Sequence, residues 1–498
     1  MTSDVPAPIA TMRITQLVLI LLATLSLALV MRLWGLTSEP VWLDEVYSVL
    51  LSEGSSDQIL EANAKDVHPP AYYLGLARWR QVFGSTPAGI RGYSILWSLI
   101  GVALVVLLAA DSGLDWRGVS FAGMVAAINP LDIYFAQEAR MYAQATALGT
   151  ASSWMLWRWL QGRRDRGSQL VQGLWLALYA CTAAMLVQTL YLGAFVLLAQ
   201  GLFTAIALTS RRDIRGLMTY GGASLATALL VLPWLVFMRH FGPHKLGRLD
   251  WMSAPSLTAM FQPFTKQFYV GKITPDGVLH QPLILLSGIL SVALVSTLVL
   301  AWRRHSDFTG VSAYLSWITC IPIGLAFLVS HLYRPVYFTS RFPVLVLPTF
   351  LVLVAIAATL IQRPWLRSTL VILIVGVMAA GGIVQGKELT KPGMVGFAEL
   401  YRQVGPPDHV VLLPPDSTIT ASYALGFPLV NAQQRQIQES IEAQGETVVW
   451  VGIRRGYLET ADPRVRRVYE WLLSLGPKEK LAEVDGMEIW QINGRQLR

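Results

Sequence analysis

Charge is what this sequence has least of. Asp, Glu, Lys and Arg together supply 14% of the 498 residues, against 54% hydrophobic ones. A soluble domain carries about a quarter charged residues. So few charges cannot cover a surface in water, which excludes an ordinary soluble globular protein. Cysteine is nearly missing. Cys181 and Cys320 both sit in apolar runs and read as buried thiols, so neither a disulfide framework nor a zinc cluster is expected. There is no Walker loop, no dinucleotide-type glycine pattern after a strand, and no His-Glu-x-x-His. Internal repeats and low-complexity segments are absent, and the inverted halves of many transporters are not visible.

What is present is apolar sequence in long pieces. Residues 17–30, 95–110, 217–238 and 281–301 contain no charge at all. A helix needs about 20 mostly apolar residues to cross a bilayer. Stretches of that kind predict about 11 spans, near 14–36, 90–110, 117–134, 142–160, 170–187, 189–209, 217–238, 281–302, 310–331, 342–361 and 368–385. The third is interrupted by Asn129-Pro130 and Asp132. The first follows a short N-terminus with Arg13 and could be a signal peptide. No small-residue cleavage site follows it, and Arg32-Leu33-Trp34 reads as an interfacial anchor, so it is taken as an uncleaved span.

The net charge of +8 would hint at nucleic acid in a soluble protein. Here the basic residues cluster in short loops between spans, so nucleic acid is not expected as a partner. Arg158, Arg163, Arg164 and Arg166 fall in one loop, and Arg211, Arg212 and Arg215 fall two loops later. Arg303, Arg304 and His305 follow, then Arg363 and Arg367. Alternation puts all four groups on one face, which the positive-inside bias makes cytoplasmic. The N-terminus is then cytoplasmic. Loops 37–89, 135–141, 239–280 and 332–341 lie outside with the tail from about 386. The tail is polar, with strand-like runs at 410–413, 447–453 and 488–492 and helical patterns at 395–403 and 464–475. It reads as a small α/β domain on the outer face.

Four constellations fall on that outer face. Asp44 and Glu45 stand just beyond the first span, where an interfacial carboxylate can have its pKa raised toward the range of a general base; a solvated acid pair or helix-start acids fit as well. His68-Pro69-Pro70-Ala71-Tyr72-Tyr73 opens an amphipathic, aromatic segment reaching Trp79 and Phe83 along the interface. His68 has the chemistry to bind phosphate, donate a hydrogen bond or ligate a metal, and the segment could equally be an anchor. The segment from Asn129 to Tyr142 packs Asp132, Gln137, Glu138 and Arg140 between two apolar runs. Charges at the margin of a bundle are functional candidates, with a Glu138–Arg140 structural pair as the plain alternative. Finally, Arg334-Pro335-Val336-Tyr337 leads to Arg341-Phe342 at the mouth of a span, where Arg341 is either a snorkelling anchor or an anion ligand.

The order and spacing of these motifs resemble those of the polytopic GT-C glycosyltransferases. The similarity is to glycosyltransferase family 39, the dolichyl-phosphate-mannose protein mannosyltransferase type, and its bacterial relatives, the aminoarabinose transferase group. Four stretches carry it: Trp42-Leu43-Asp44-Glu45; His68-Pro69-Pro70-x-Tyr72-Tyr73 with Phe83-Gly84 and Arg91; Gln137-Glu138-Ala139-Arg140-Met141-Tyr142; and Arg334-Pro335-Val336-Tyr337 with Arg341-Phe342. They cover about residues 1–350. Two departures stand out: Leu190 occupies a place where members often have His, and Arg341-Phe342 replaces a commoner Arg-Tyr.

The resemblance implies an all-α polytopic membrane fold with a small C-terminal extracytoplasmic α/β domain, divided as 1–385 and 386–498. It implies a hexosyl- or pentosyltransferase of the bacterial plasma membrane. The donor would be a polyprenyl- or dolichyl-phosphate sugar, transferred with inversion to a lipid, glycan or protein acceptor outside. Asp44 would be the general base, helped by Glu45, with Arg140, Arg341 and His68 on the donor phosphate. Glu138, Tyr72, Tyr142 and Tyr337 would position donor or acceptor. Some members use a divalent cation, and that choice stays open. A transporter or lipid-linked glycan flippase, using the same charges as a path, is the reading from another class.

Overall fold

The computed structural model describes residues 12–164, 167–241, 254–272, 280–304, 309–339, 341–387, 394–413, 417–425, 429, 432–444, 446–454, 463–475, 477–484 and 487–495. Arg166 and His305 of the sequence reading lie outside them. The chain forms two compact units. One takes Met1–Leu36 with Leu51–Glu388, the other Thr37–Leu50 with Leu389–Arg498.

The larger unit is helical. Its elements are α1 (Ile14–Leu33), α3 (Ser56–Ala64), α4 (Ala71–Phe83), α5 (Pro87–Asp111), α6 (Trp116–Ile128), α7 (Pro130–Ala136), α8 (Tyr142–Arg164), α9 (Gln169–Thr189), α10 (Gly193–Ser210) and α11 (Ile214–Arg239). After these come α12 (Leu257–Gln262), α13 (Phe268–Val270), α14 (His280–Arg304), α15 (Thr309–Leu332), α16 (Leu347–Leu360) and α17 (Pro364–Lys387). The short α2 (Leu43–Leu50) belongs to the other unit. Several helices start where the sequence supplies a cap: Thr86 accepts from the Gly89 amide ahead of α5, and Asp115 accepts from Gly118 ahead of α6. Pro87 sits in the first turn of α5, where its missing N–H costs nothing.

Among the described residues nine helices are long and apolar enough to cross a membrane, and a bent pair makes a tenth. The protein is a multi-pass membrane protein. The bent pair is the interrupted third span. Helices α6 and α7 meet at 52°. Asn129 accepts at the break from the amides of Leu131 and Asp132, and Pro130 begins the new helix. The remaining expected span, 142–160, exists as α8 but is polar. Gln144, Thr146, Thr150, Ser152 and Ser153 are all buried. The helix is packed against α5, α9 and α10, so it has little lipid-facing surface to make apolar.

Arg32 corrects the sequence reading. It was expected as an interfacial anchor, yet it is fully buried and ion-paired with Asp132. Ser98 completes the cluster, accepting from Arg32 Nε at 2.7 Å and donating to Asp132 at 2.6 Å. The guanidinium also donates to the carbonyls of Ala28 (3.0 Å) and Ala127 (2.9 Å). One side chain thus links α1, α5, α6 and α7.

The smaller unit is α/β. Its tail holds a four-stranded sheet of order β1-β2-β4-β3, from β1 (His409–Leu413), β2 (Glu446–Arg454), β3 (Lys478–Val484) and β4 (Met487–Arg495). β1 and β2 are parallel; the other pairs are antiparallel. The helices are α18 (Val395–Val404), α19 (Ser417–Leu425), α20 (Gln434–Gln444) and α21 (Pro463–Ser474). Alternation along the strands builds two cores. Val410, Leu412, Trp450 and Ile489 face one side with Phe397; Val411, Leu413, Val449 and Val451 face the other with Leu472. The sequence pattern found three strands and missed β3. That strand lies at the sheet edge and carries Lys478, Glu479, Lys480 and Glu483, so its apolar signal is weak. Helix α2 packs on α19.

Removing one partner of a buried ion pair strands a charge and costs about 3–5 kcal/mol. Asp132→Ala or Arg32→Ala will therefore lower the unfolding temperature in mild detergent sharply. The double variant Arg32→Met/Asp132→Leu will recover much of the loss. Singles as stable as the parent protein would show that the pair does not hold these helices together.

Candidate functional site

The site grows from the end of α3. Asp66, Val67 and His68 bridge to Pro69-Pro70, and Pro70 starts α4. The two prolines stiffen the backbone directly after His68. Asp66 Oδ2 lies 2.9 Å from His68 Nδ1, and His68 Nε2 lies 3.1 Å from an Arg140 guanidinium nitrogen. Arginine can only donate. In a neutral imidazole Nε2 therefore accepts from Arg140, and Nδ1 carries the proton that Asp66 accepts. Burial opposes ionisation of Asp66. The hydrogen bond from His68, the charge of that ring when protonated, and Arg140 outweigh it and hold the carboxyl at about 2.

Arg140 itself is 4% exposed. It approaches the Tyr73 hydroxyl at 3.5 Å, and its carbonyl accepts from Ser94 Oγ at 3.3 Å. Tyr72 is fully buried with its hydroxyl 3.3 Å from Ser94. Behind it, Tyr93 donates to Gln144 (3.2 Å), and Gln144 donates to Thr189 (3.0 Å). The segment of Arg140 is thereby fastened to α4, α5, α8 and α9. Glu138 is also buried, at 1% exposure, and its carbonyl accepts from the Arg140 amide at 2.7 Å.

Arg341 reaches the same segment from the far part of the chain. It donates to the Tyr142 hydroxyl at 3.3 Å and lies 4.9 Å from the Phe338 ring centre. The structure thus brings His68 to Arg140 directly, and Arg341 to Tyr142, two residues further on. Tyr337 is buried and donates to the Ala259 carbonyl at 3.2 Å. Asp44 and Glu45 occupy the first turn of α2 in the other unit; Glu45 is buried, and the Asp44 carbonyl accepts from Ser48 Oγ at 3.1 Å.

Two residues escaped the sequence reading. Asp66 stands two positions before His68, a spacing short enough to have suggested the pair. Lys272 had no such signal. Its ammonium donates to the Tyr134 hydroxyl at 2.7 Å and sits 4.5 Å over that ring. Its amide donates to Gln385, which donates in turn to the Pro130 carbonyl at 3.0 Å. Only folding brings residue 272 to the 129–142 segment. Among the described residues no group of three or more His, Cys, Asp or Glu is placed to hold a metal ion.

No protein-family model matches the sequence, and no curated protein matches it. Solved structures do match in fold. ArnT from Cupriavidus metallidurans in the apo state is 12% identical, with a TM-score of 0.62 over 94% of this chain and 97% of that one. The same protein bound to undecaprenyl phosphate gives 13% identity and a TM-score of 0.60 over 96% and 98%. The Archaeoglobus fulgidus oligosaccharyltransferase tethered to an acceptor peptide is 11% identical, with a TM-score of 0.51 over 88% of this chain and 69% of that one. The chain shares the polytopic fold of these proteins, as the resemblance of its motifs implied.

Because the Asp66 pKa is depressed from 3.8 to about 2, its pairing contributes stability that is complete above pH 3.8 and lost as pH falls toward 2. The unfolding temperature of the parent protein will fall through that window more than that of Asp66→Asn. Parallel pH profiles would show that the carboxylate gains nothing from His68.

Proposed function

We propose that this protein is an integral membrane glycosyltransferase. It would move a hexose or pentose from a polyprenyl- or dolichyl-phosphate donor to a lipid, glycan or protein acceptor on the non-cytoplasmic face, with inversion. The observation that carries the reading is the Asp66–His68–Arg140 chain, with Arg341 on Tyr142 of the same segment. It is a built cationic site of the kind a lipid phosphate requires. It lies in a fold shared with a protein solved bound to undecaprenyl phosphate.

The orientation is supported by α8. Tyr142 stands at one end of its 23 residues, while Arg163 and Arg164 stand at the other. At about 1.5 Å per residue that separation approaches the thickness of the hydrocarbon core. The arginine-rich end fits the cytoplasmic side and the phosphate site the outer one. The tail domain would then also be extracytoplasmic.

In the proposed reaction an acceptor hydroxyl attacks the anomeric carbon from the side opposite the phosphate. The new glycosidic C–O bond forms as the bond to the phosphate oxygen breaks. Asp44 takes the hydroxyl proton, and Glu45 supports it. The departing phosphate keeps the electron pair, and its charge is met by Arg140, Arg341 and His68. Glu138 and Tyr142 would hold those arginines in place. Tyr72 and Tyr337, whose hydroxyls are engaged within the protein, would act by packing rather than by touching substrate.

Two variants separate the roles. Asp44→Asn will lower transfer from a labelled polyprenyl-phosphate sugar about 10²–10⁴-fold while donor binding persists. Arg140→Gln will weaken retention of the polyprenyl phosphate itself. Undiminished turnover in Asp44→Asn would sink its assignment as base, and unchanged donor binding in Arg140→Gln would remove the phosphate site.

A further inference from the structure

A cavity lined by two arginines lies at the end of α6 away from the Asn129–Tyr142 segment. A cavity of about 570 Å³ opens there between the start of α6, the end of α16 and the start of α17. Arg117 and Arg367 both line it, above an apolar wall that includes Phe121, Met124 and Val371. Gly118 lets α6 come close to α16 beneath the arginines; a Cβ there would meet Thr359 Cγ2 at 2.9 Å. The acidic group in the lining, Asp115, already accepts from the Gly118 amide at 2.9 Å as the cap of α6. Neither arginine forms an ion pair among the described residues, and Arg117 rests 5.3 Å from the Trp116 ring.

Two features say what this cavity faces. Trp116 and Trp365 are 50% and 64% exposed at this end, as aromatic side chains at headgroup level are. On the other side of α6, sharing Trp116, Ser120 and Met124, a groove of about 460 Å³ runs along α1 past Leu19, Ile20 and Leu27. Two arginines thus line one apolar trough, and a second apolar trough lies beside it, sharing Trp116, Ser120 and Met124. A soluble anion would use only the first part of that arrangement; a lipid would use all of it.

We propose that this end of the bundle is a binding site for an anionic phospholipid. Its headgroup phosphate would be held by Arg117 and Arg367, and its acyl chains would lie along the two sides of α6. The site is separate from the Arg140 cluster and does not depend on the glycosyltransferase reading.

The test is native mass spectrometry of the full chain released from detergent. It is paired with titration by phosphatidylglycerol or phosphatidylcholine in mixed micelles. Phosphatidylglycerol should bind in preference to phosphatidylcholine, and Arg117→Gln/Arg367→Gln should weaken it roughly tenfold or more. Arg363→Gln, one turn before Arg367 but outside the cavity lining, should leave binding unchanged. Filling the trough with Met124→Trp should weaken the lipid without removing either charge. Equal binding of the two lipids, full binding by the double arginine variant, or an equal loss in Arg363→Gln would overturn the proposal. So would displacement of the lipid by inorganic phosphate, which would make the cavity a simple anion site.

Discussion

The bundle is organised around a charge that it cannot leave alone. Arg32 is wholly enclosed by α1, α5, α6 and α7, and an uncompensated guanidinium in that place would cost more than any single helix contact returns. Asp132 supplies the opposite charge, and Ser98 with the carbonyls of Ala28 and Ala127 uses up donors that Asp132 does not. To present Asp132, the third hydrophobic segment must break. Asn129 caps the new helix, and its amide donates to the Phe268 carbonyl at 2.8 Å. Gln137 then ties the end of α7 to the carbonyls of Arg32 and Trp34. The break is a satisfied polar knot, which is the condition for irregular backbone within a membrane bundle.

That knot sets where the candidate chemistry stands. The segment from Asn129 to Tyr142 leaves the broken helix with its direction fixed, and Arg140, Tyr142 and Tyr134 are delivered from it to His68, Arg341 and Lys272. Two cations from distant parts of the chain, Arg341 and Lys272, and the His68 imidazole meet partners on one segment of fourteen residues. Each is steadied by an aromatic ring or hydroxyl, so the guanidinium and ammonium groups are pre-oriented before any anion arrives. Under the proposed glycosyl transfer, pre-orientation would matter because a donor phosphate gains charge as its sugar leaves, and fixed donors would meet that charge without reorganising.

The opposite end of the molecule uses the same residue types differently. There Arg163 is held by both oxygens of Asp213, at 2.7 Å each, and Arg158 meets Asp111 at 3.1 Å and the Trp175 ring at 5.0 Å. These pairs close loops between helices. Arg117 and Arg367 instead line an apolar trough, near the exposed Trp116 and Trp365. One protein thus has basic residues that close loops, and basic residues that line an apolar cavity.

Much of this was legible in the residues. Apolar length gave the helices to within a few positions, because burying or lipid-facing an entire turn needs a run of apolar side chains. The resemblance to GT-C motifs singled out His68, Arg140 and Arg341, and folding places His68 against Arg140 and Arg341 against Tyr142. Periodicity could not identify α8 as buried on all sides, since a helix enclosed by neighbours has no face that must be apolar. Nor could it find β3, whose edge position asks for charges rather than hydrophobes. Composition put Arg32 at an interface, because an isolated arginine at the end of an apolar run belongs there. Its partner Asp132 lies a hundred residues away, and only the packing of four helices makes the interior the better place. The sequence by itself determined that the chain spans a membrane many times and carries unusual acids, histidine and arginines between its spans. Which of these become partners was decided by tertiary structure, since a charge is stabilised by what stands within a few ångströms of it in space and not along the chain.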